Sequence, residues 1–245
     1  MHVLVTRPKG DGETLKARIE QLGCRASLEP LISIVPNAIP VAAIKDAAGL
    51  IATSRNALKA LAGSPALGLA TTLPLFAVGP GTAAIARGLG FKDVFEGAGT
   101  GADLVPILAR RSGDDGVLVH LAGDVLAFDL AAALARENVN IRSVEAYRSV
   151  AAESLSPQIV EALRNQDVDV VILMSPRTAE TWTRLMVDLP PPADLSGVTY
   201  ICLSKAVADV LRSHFDDPKI VIAARPNLEE ILVLLKRLAA RPEAE

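Results

Sequence analysis

The chain has 245 residues, half of them hydrophobic but only 3% aromatic, and its 25 Lys and Arg against 28 Asp and Glu give a net charge of -3. That length can bury a sizeable core in one large domain or two small ones. The near-balanced charge and the lack of a dense Lys/Arg block exclude a general nucleic-acid binder, and no apolar run approaches the roughly 20 residues that span a bilayer.

In chain order, short runs rich in β-branched and apolar residues predict strands at 2–6, 26–35, 49–53, 75–78, 93–96, 116–121, 141–150, 169–174, 199–203 and 219–223. Amphipathic stretches between them predict helices at 11–22, 55–62, 82–89, 101–111, 126–137, 156–165, 178–188, 205–213 and 227–239. Near-continuous apolar strands alternating with helices predict parallel sheets covered on both faces. Ten such strands are many for one sheet of this length, so two sheets of about five are expected.

A weak internal repeat points the same way. "GLIATSRNALKAL" (49–61) resembles "DVVILMSPRTAETW" (169–182), "LFAVGPGTAAIARGLGF" (75–91) resembles "YICLSKAVADVLRSHF" (200–215), and "VFEGAGTGADLVPIL" (94–108) resembles "IVIAARPNLEEILVLL" (220–235). All strand–helix units share such a pattern, but three in the same order favour a duplicated half. The two longest strand candidates bracket the middle of the chain and are followed by breakers. The expected fold is therefore α/β, with two doubly wound, flavodoxin-like parallel-sheet domains joined by a two-stranded linker. The outer domain would comprise 1–35 and 150–245, the inserted one 38–147, with linker segments near 34–39 and 145–152.

Cys24 and Cys202 form no CxxC or Cys/His pattern and read as buried small hydrophobes in a reducing compartment. "MHVLVTRP" reads as a strand rather than a signal peptide, so a soluble cytoplasmic protein is expected.

Ligands of open parallel sheets sit beyond the carboxyl ends of the strands. In the outer domain the loops there carry Arg7 and Lys9, Arg177, Lys205, and Arg225, an excess of bases over chance. In the inserted domain the loops are "TSRN" (53–56), "VGPG" (78–81), "EGAGTG" (96–101) and "LAGD" (121–124), with Arg55 as the one clear base. Gly79, Gly81, Gly101 and Gly123 would let backbone N–H groups approach a ligand, and helix N-termini favour anions. The two rims suit a molecule with several negative charges. The plain alternative is that the bases are solvated and the glycines only turn the chain.

No GxGxxG, phosphate loop or GxSxG motif is present, and His2, His120 and His214 have no metal-ligand spacing. Each histidine reads as a strand or helix-surface residue, and Asp124 and Asp129 read as solvated.

Laid out this way, "VLVTRP", "ATSRNAL" (52–58), "AVGPGTAAIARGLGF" (77–91), "GTGADLVPIL" (99–108), "LAGD", "VEAYRS" (144–149) and "LMSPRTAETW" (173–182) together resemble the uroporphyrinogen-III synthase family. The resemblance implies two α/β domains on a two-stranded linker. It also implies cyclisation of the linear tetrapyrrole hydroxymethylbilane to uroporphyrinogen III, with loss of water and inversion of the last ring, and no cofactor or metal. The polycarboxylate substrate would account for the cationic and N–H-rich rims. Tyr147 matches the family's tyrosine and would act as general acid or hydrogen-bond donor to the leaving hydroxyl. Ser54, Thr82 and Ser175 would be loop contacts, with Thr82 and the backbone of "GPGT" offered to substrate carboxylates. The chain departs from the family at "LSKAVA", where Ser204 and Lys205 replace a Gly/Thr turn, and at Ala122-Gly123, where an Arg-Gly pair is common. A monomer that takes substrate from hydroxymethylbilane synthase is expected, with no nucleic-acid or membrane partner. The alternatives are a two-domain anionic-ligand binding protein without catalysis and a flavodoxin- or receiver-like regulatory module.

Overall fold

A computed structural model describes residues 1–110, 116–126, 128–189 and 193–240. The predicted helices at 101–111 and 126–137 reach residues 111 and 127, which lie outside the described residues. In chain order the elements are β1 (His2–Val5), α1 (Lys9–Glu20), β2 (Arg25–Leu28), β3 (Ile32–Pro36), β4 (Ala47–Ala52), α2 (Arg55–Ala62), α3 (Leu67–Ala70), β5 (Leu75–Ala77), α4 (Pro80–Gly88), β6 (Val94–Glu96) and α5 (Gly101–Ala109). They continue with β7 (Val117–Gly123), α6 (Leu130–Ala135), β8 (Ile141–Ala151), α7 (Pro157–Arg164), β9 (Val170–Leu173), α8 (Pro176–Val187), β10 (Thr199–Cys202), α9 (Lys205–Arg212), β11 (Lys219–Ile222) and α10 (Leu228–Ala239). The chain divides into two units, Met1–Ser33 with Val150–Glu245, and Ile34–Ser149, and passes between them in β3 and β8.

The outer unit holds a five-stranded sheet ordered β11-β10-β9-β1-β2, parallel throughout. One face is sealed by α7, α8 and α9 through Ile159, Leu163, Trp182, Leu185, Val207 and Leu211, and the other by α1 and α10 through Leu15, Ile19, Ile231 and Leu235. The inserted unit holds a six-stranded sheet ordered β3-β8-β7-β4-β5-β6. Here α2 and α4 cover one face with Ala57, Leu58, Leu61, Ala83 and Ala86, while α5 and α6 cover the other with Leu104, Leu108, Leu130 and Leu134. Strands buried on both faces explain why runs such as "VLV" and "VVIL" are continuous rather than alternating.

The two sheets share one plan. Reading β9-β10-β11-β1-β2 beside β4-β5-β6-β7-β8 gives the same spatial order, so the outer unit is a circular permutation of the inserted one. The repeats seen in sequence occupy matching positions, β4-α2 with β9-α8, β5-α4 with β10-α9, and β6-α5 with β11-α10.

The single strand expected over 26–35 is in fact two strands in different sheets. Pro30 has no N–H for a ladder. Beside it the Leu31 amide turns to the Thr6 carbonyl at 3.1 Å, and the buried Glu29 carboxylate accepts from the Ser156 amide and hydroxyl at 2.8 and 2.7 Å.

Candidate functional site

Because the strands of each core run parallel, the loops that follow them gather on one edge of each unit. On that edge of the inserted unit lies a cavity of about 560 Å³ lined by Thr53, Ser54, Val78, Gly99, Thr100, Gly101, Ala102, Gly123, Val125, Leu126, Phe128 and Tyr147. These residues follow β4, β5 and β6, end or follow β7, or sit on β8. The cavity therefore opens where successive strands leave β4 in opposite directions, the usual ligand position of a doubly wound sheet.

Local chemistry explains the rim, and it changes the expected role of the glycines. Gly79 is extended (φ -176°), a conformation open to any residue. Its reason is contact, since a Cβ there would lie 3.1 Å from the Gly99 Cα. At Gly97 a Cβ would meet the Val78 carbonyl at 2.9 Å. The loops after β5 and β6 cross at these positions; at Gly97 a side chain would collide with the backbone carbonyl, and at Gly79 it would need the neighbouring loop to give by a few tenths of an ångström. Nor is "GPGT" an open row of donors. Pro80 has no N–H, and the Thr82 and Ala83 amides both donate to the Gly79 carbonyl at 3.1 and 3.0 Å, which leaves the amides of Gly79, itself buried, and Gly81. Thr82 is 4% exposed, so the expectation that its side chain stands open to substrate is corrected.

The start of α5 is likewise capped from within. The Thr100 amide and hydroxyl both donate to Asp103 Oδ2 at 2.7 Å, and the Asp103 amide donates back to Thr100 Oγ1 at 3.4 Å. Thr100→Ala should therefore lower the stability of this unit by about 1 kcal/mol, read as a shift of its urea midpoint.

Tyr147 is the one phenol of the cavity. A register shift at Ala122/Gly123 pairs Gly123 with Tyr147, leaving Ala146 as the extra residue of the ladder. The tyrosine ring then lies across Gly123, where a Cβ would sit 2.6 Å from Cζ and 2.7 Å from the hydroxyl oxygen. Phe128 packs over Gly101 in the same way, with a Cβ there meeting its Cδ1 at 2.8 Å. Below the rim, Thr53 Oγ1 lies 2.8 Å from Nε2 of His120, a residue only 2% exposed. Burial pushes the imidazole pKa down to about 4, so His120 is neutral near neutral pH.

Ser54 caps α2 by accepting from the Asn56 amide at 3.1 Å, and the exposed Arg55 opens that helix. Asp129 caps α6 through the Ala132 amide, and Asp124 accepts from the Ser149 amide, both at 2.9 Å.

In the outer unit Arg7, Lys9, Arg177, Lys205 and Arg225 all fall on the carboxyl edge of the sheet, after β1, β9, β10 and β11. Four of them lie at or just before the first turn of a helix, where a cation runs against the helix dipole, so helix stability does not explain them. Three carry a carboxylate nearby along the chain: Arg7 with Asp11 at 2.6 Å, Lys205 with Asp209 at 2.8 Å, and Arg225 with Glu230 at 3.4 Å. Lys205 and Arg225 remain 79% exposed. Ser175 caps α8, accepting from the Thr178 amide at 3.2 Å, whereas Ser204 opens α9 without a side-chain cap.

Among the described residues no group of three or more His, Cys, Asp or Glu is placed to hold a metal ion, and no helix is long and apolar enough to cross a membrane. Both cysteines are buried, and burial pushes the Cys202 thiol up to about 12.

Comparison with known proteins agrees with this architecture. The family model "Uroporphyrinogen-III synthase HemD" matches residues 13–232. The "Porphyrin biosynthesis protein HemD" of Ruminiclostridium josui is 22% identical over 249 residues, covering 94% of this chain and 47% of its own length. The chain thus spans about half of that relative. Uroporphyrinogen-III synthetase of Helicobacter pylori shares the fold, with a TM-score of 0.67 at 20% identity over 98% of this chain and 99% of that one. A mutant Thermus thermophilus uroporphyrinogen III synthase aligns at a TM-score of 0.54 and 20% identity, over 98% of each chain.

Proposed function

The chain belongs to the uroporphyrinogen-III synthase family, and on that premise we propose that it closes hydroxymethylbilane to uroporphyrinogen III with loss of water and inversion of the fourth ring. The observation that carries this reading is the cavity of the inserted unit. It has room for a pyrrole ring, walls from Val78, Val125, Leu126 and Phe128, and one phenol, Tyr147.

In this mechanism the C–O bond of the hydroxymethyl group breaks, and the oxygen leaves as water with a proton from the Tyr147 hydroxyl. The pyrrole chain carries the resulting charge as an azafulvene cation. The substituted carbon of the fourth ring attacks it, and the spiro intermediate fragments and recloses inverted. The proton lost at rearomatisation restores the tyrosine. Substrate chemistry supplies most of the reactivity, so the protein's share is orientation and the exclusion of direct closure.

Ser54, Arg55 and the Gly81 amide are the proposed polar contacts of the inserted unit, with Gly101 and Gly123 shaping the cavity. Arg7, Arg177, Ser204 and Lys205, with Lys9 and Arg225, form a basic edge of the kind a polycarboxylate needs, and Ser175 serves as a cap beside them. Thr82 and Gly79, both buried, are assigned to loop packing. The same reading has the chain act as a cytoplasmic monomer supplied by hydroxymethylbilane synthase, and sedimentation tests the monomer.

The deciding experiment couples porphobilinogen and a deaminase to this chain, then oxidises and separates the porphyrin isomers. Predominant isomer III is expected. Isomer I alone, at the spontaneous rate from a folded sample, would refute the reading.

A further inference from the structure

Asp124 takes no part in the mechanism above and is exposed, yet it is bonded twice to the strand that carries the phenol. Its amide donates to the Tyr147 carbonyl at 3.1 Å, and its Oδ1 accepts from the Ser149 amide at 2.9 Å. The first bond is an ordinary rung of a parallel ladder in which Gly123 pairs with Tyr147. In such a ladder the next rung would run from the Ser149 amide to the backbone carbonyl of residue 124. But β7 ends at Gly123 and the chain bends away at Asp124. The carboxylate stands in for the missing carbonyl and adds one rung beyond the end of the strand.

The ladder needs that rung here. The register shift leaves Ala146 without an opposite residue on β7, so Tyr147 follows directly on a bulge. A bulge bends its strand and re-aims the side chains beside it. Without the carboxylate, the Gly123–Tyr147 pair next to this irregularity would also be the last of the ladder. The tolerance is small, because the ring lies across Gly123 with its hydroxyl oxygen only 2.7 Å from where a Cβ would stand.

We propose that Asp124 is a positioning residue: by closing the β7–β8 ladder through the Ser149 amide it holds the backbone of Tyr147, and so keeps the phenol over Gly123 at the cavity. The catalytic consequence rests on the function proposed above, whereas the placing of the ring does not. The rung asks for an acceptor oxygen rather than for a charge, so asparagine can supply it and alanine cannot.

Two readouts test this. Tyr147 and Tyr200 are the only tyrosines of the chain and lie in different units, so ring-labelled tyrosine gives two sets of NMR signals, assigned with Tyr147→Phe. Asp124→Ala should move or broaden the Tyr147 signals and leave those of Tyr200, while Asp124→Asn should leave both. Tyr147 signals unmoved by the alanine variant overturn the proposal whatever the activity. In the isomer III assay, Asp124→Ala should lower kcat about tenfold with KM little changed, because a displaced phenol costs the reacting step rather than binding. Asp124→Asn should keep kcat within about twofold of the unaltered chain. An asparagine variant as slow as the alanine one would mean that the charge acts rather than the rung, and would overturn the proposal. In the Tyr147→Phe background Asp124→Ala should add nothing; additive losses would mean that Asp124 acts apart from the phenol, and would overturn it too. If the unaltered chain yields isomer I only, the function fails, and if Tyr147→Phe keeps full turnover, the role of the phenol fails. In either case the ring signals still decide whether Asp124 holds Tyr147.

Discussion

Gly123→Ala should lower the rate of isomer III formation by about 100-fold or more while leaving the fold in place. Gly123 sits at the end of β7 outside the positive-φ region, so alanine brings no backbone strain. What it brings is a Cβ 2.6 Å from Cζ and 2.7 Å from the hydroxyl oxygen of Tyr147, a distance that real Cβ contacts do not show. Either the ring swings off the strand or the strand end moves, and both take the phenol out of position. Tyr147→Phe separates position from chemistry, because it keeps the ring and removes the proton. If Tyr147 protonates the leaving hydroxyl, both substitutions cost kcat, and the double variant costs little more than either alone. Gly123→Ala retaining full turnover would show that the phenol need not lie on this strand, and the assignment of Tyr147 would fall with it. Circular dichroism and the urea midpoint verify that each variant is folded.

Much of the fold was legible because parallel α/β architecture writes itself in apolar runs. "VVIL" and "LFA" are strands buried on both faces, and the three repeated strand–helix units occupy equivalent places in two sheets of one plan. Repeat matching did not expose the permutation, because β1 and β2 of the outer unit correspond to β7 and β8 of the inserted one, and the matched segments left those strands out. The break inside 26–35 rests on Pro30 and on a hydrogen bond from a residue more than a hundred positions away, which periodicity does not carry.

The site was less legible, for a related reason. Gly79, Gly101 and Gly123 read in sequence as open backbone. Each proves to be a place where a neighbour crowds the Cβ position, tightly at Gly79 against Gly99 and within 3.0 Å at Gly101 against Phe128 and at Gly123 against Tyr147. Thr53, Val125, Leu126 and Phe128 went unnamed, although "VLAF" after "LAGD" is an apolar stretch that the structure leaves partly exposed at Val125, Leu126 and Phe128. Thr82 misled because a threonine in a helix's first turn reads as available, whereas its direction on the helix turns it inward. His120 carried no signal at all, since a histidine in a strand gains meaning only from the strand beside it.

Burial makes His120 an acid-sensitive group of its unit. Its pKa is pushed from 6.5 down to about 4 by burial alone, with no charged partner to offset the shift. Between those two values the unfolded chain binds a proton that the folded unit refuses. Stability is therefore full above pH 6.5, falls as the pH drops from 6.5 to 4, and levels off below that. The shift corresponds to about 3 kcal/mol for the unit that holds the residue. Asp46, held down to about 2 by its hydrogen bond from Arg142, loses its stabilising effect only below its usual value of 3.8, outside this window. His2, in the other unit, is also pushed down by burial and works in the same direction, so a whole-chain profile mixes the two. The difference between the unaltered chain and His120→Gln isolates the term, because glutamine does not titrate. Urea midpoints measured from pH 7.5 to 4 should fall markedly more steeply for the unaltered chain, and the two curves should converge on acidification if glutamine costs some stability at neutral pH. Parallel curves would mean that His120 accepts its proton in the folded state, that the ring is less enclosed than its 2% exposure implies, and that Thr53 is held by something other than a neutral imidazole.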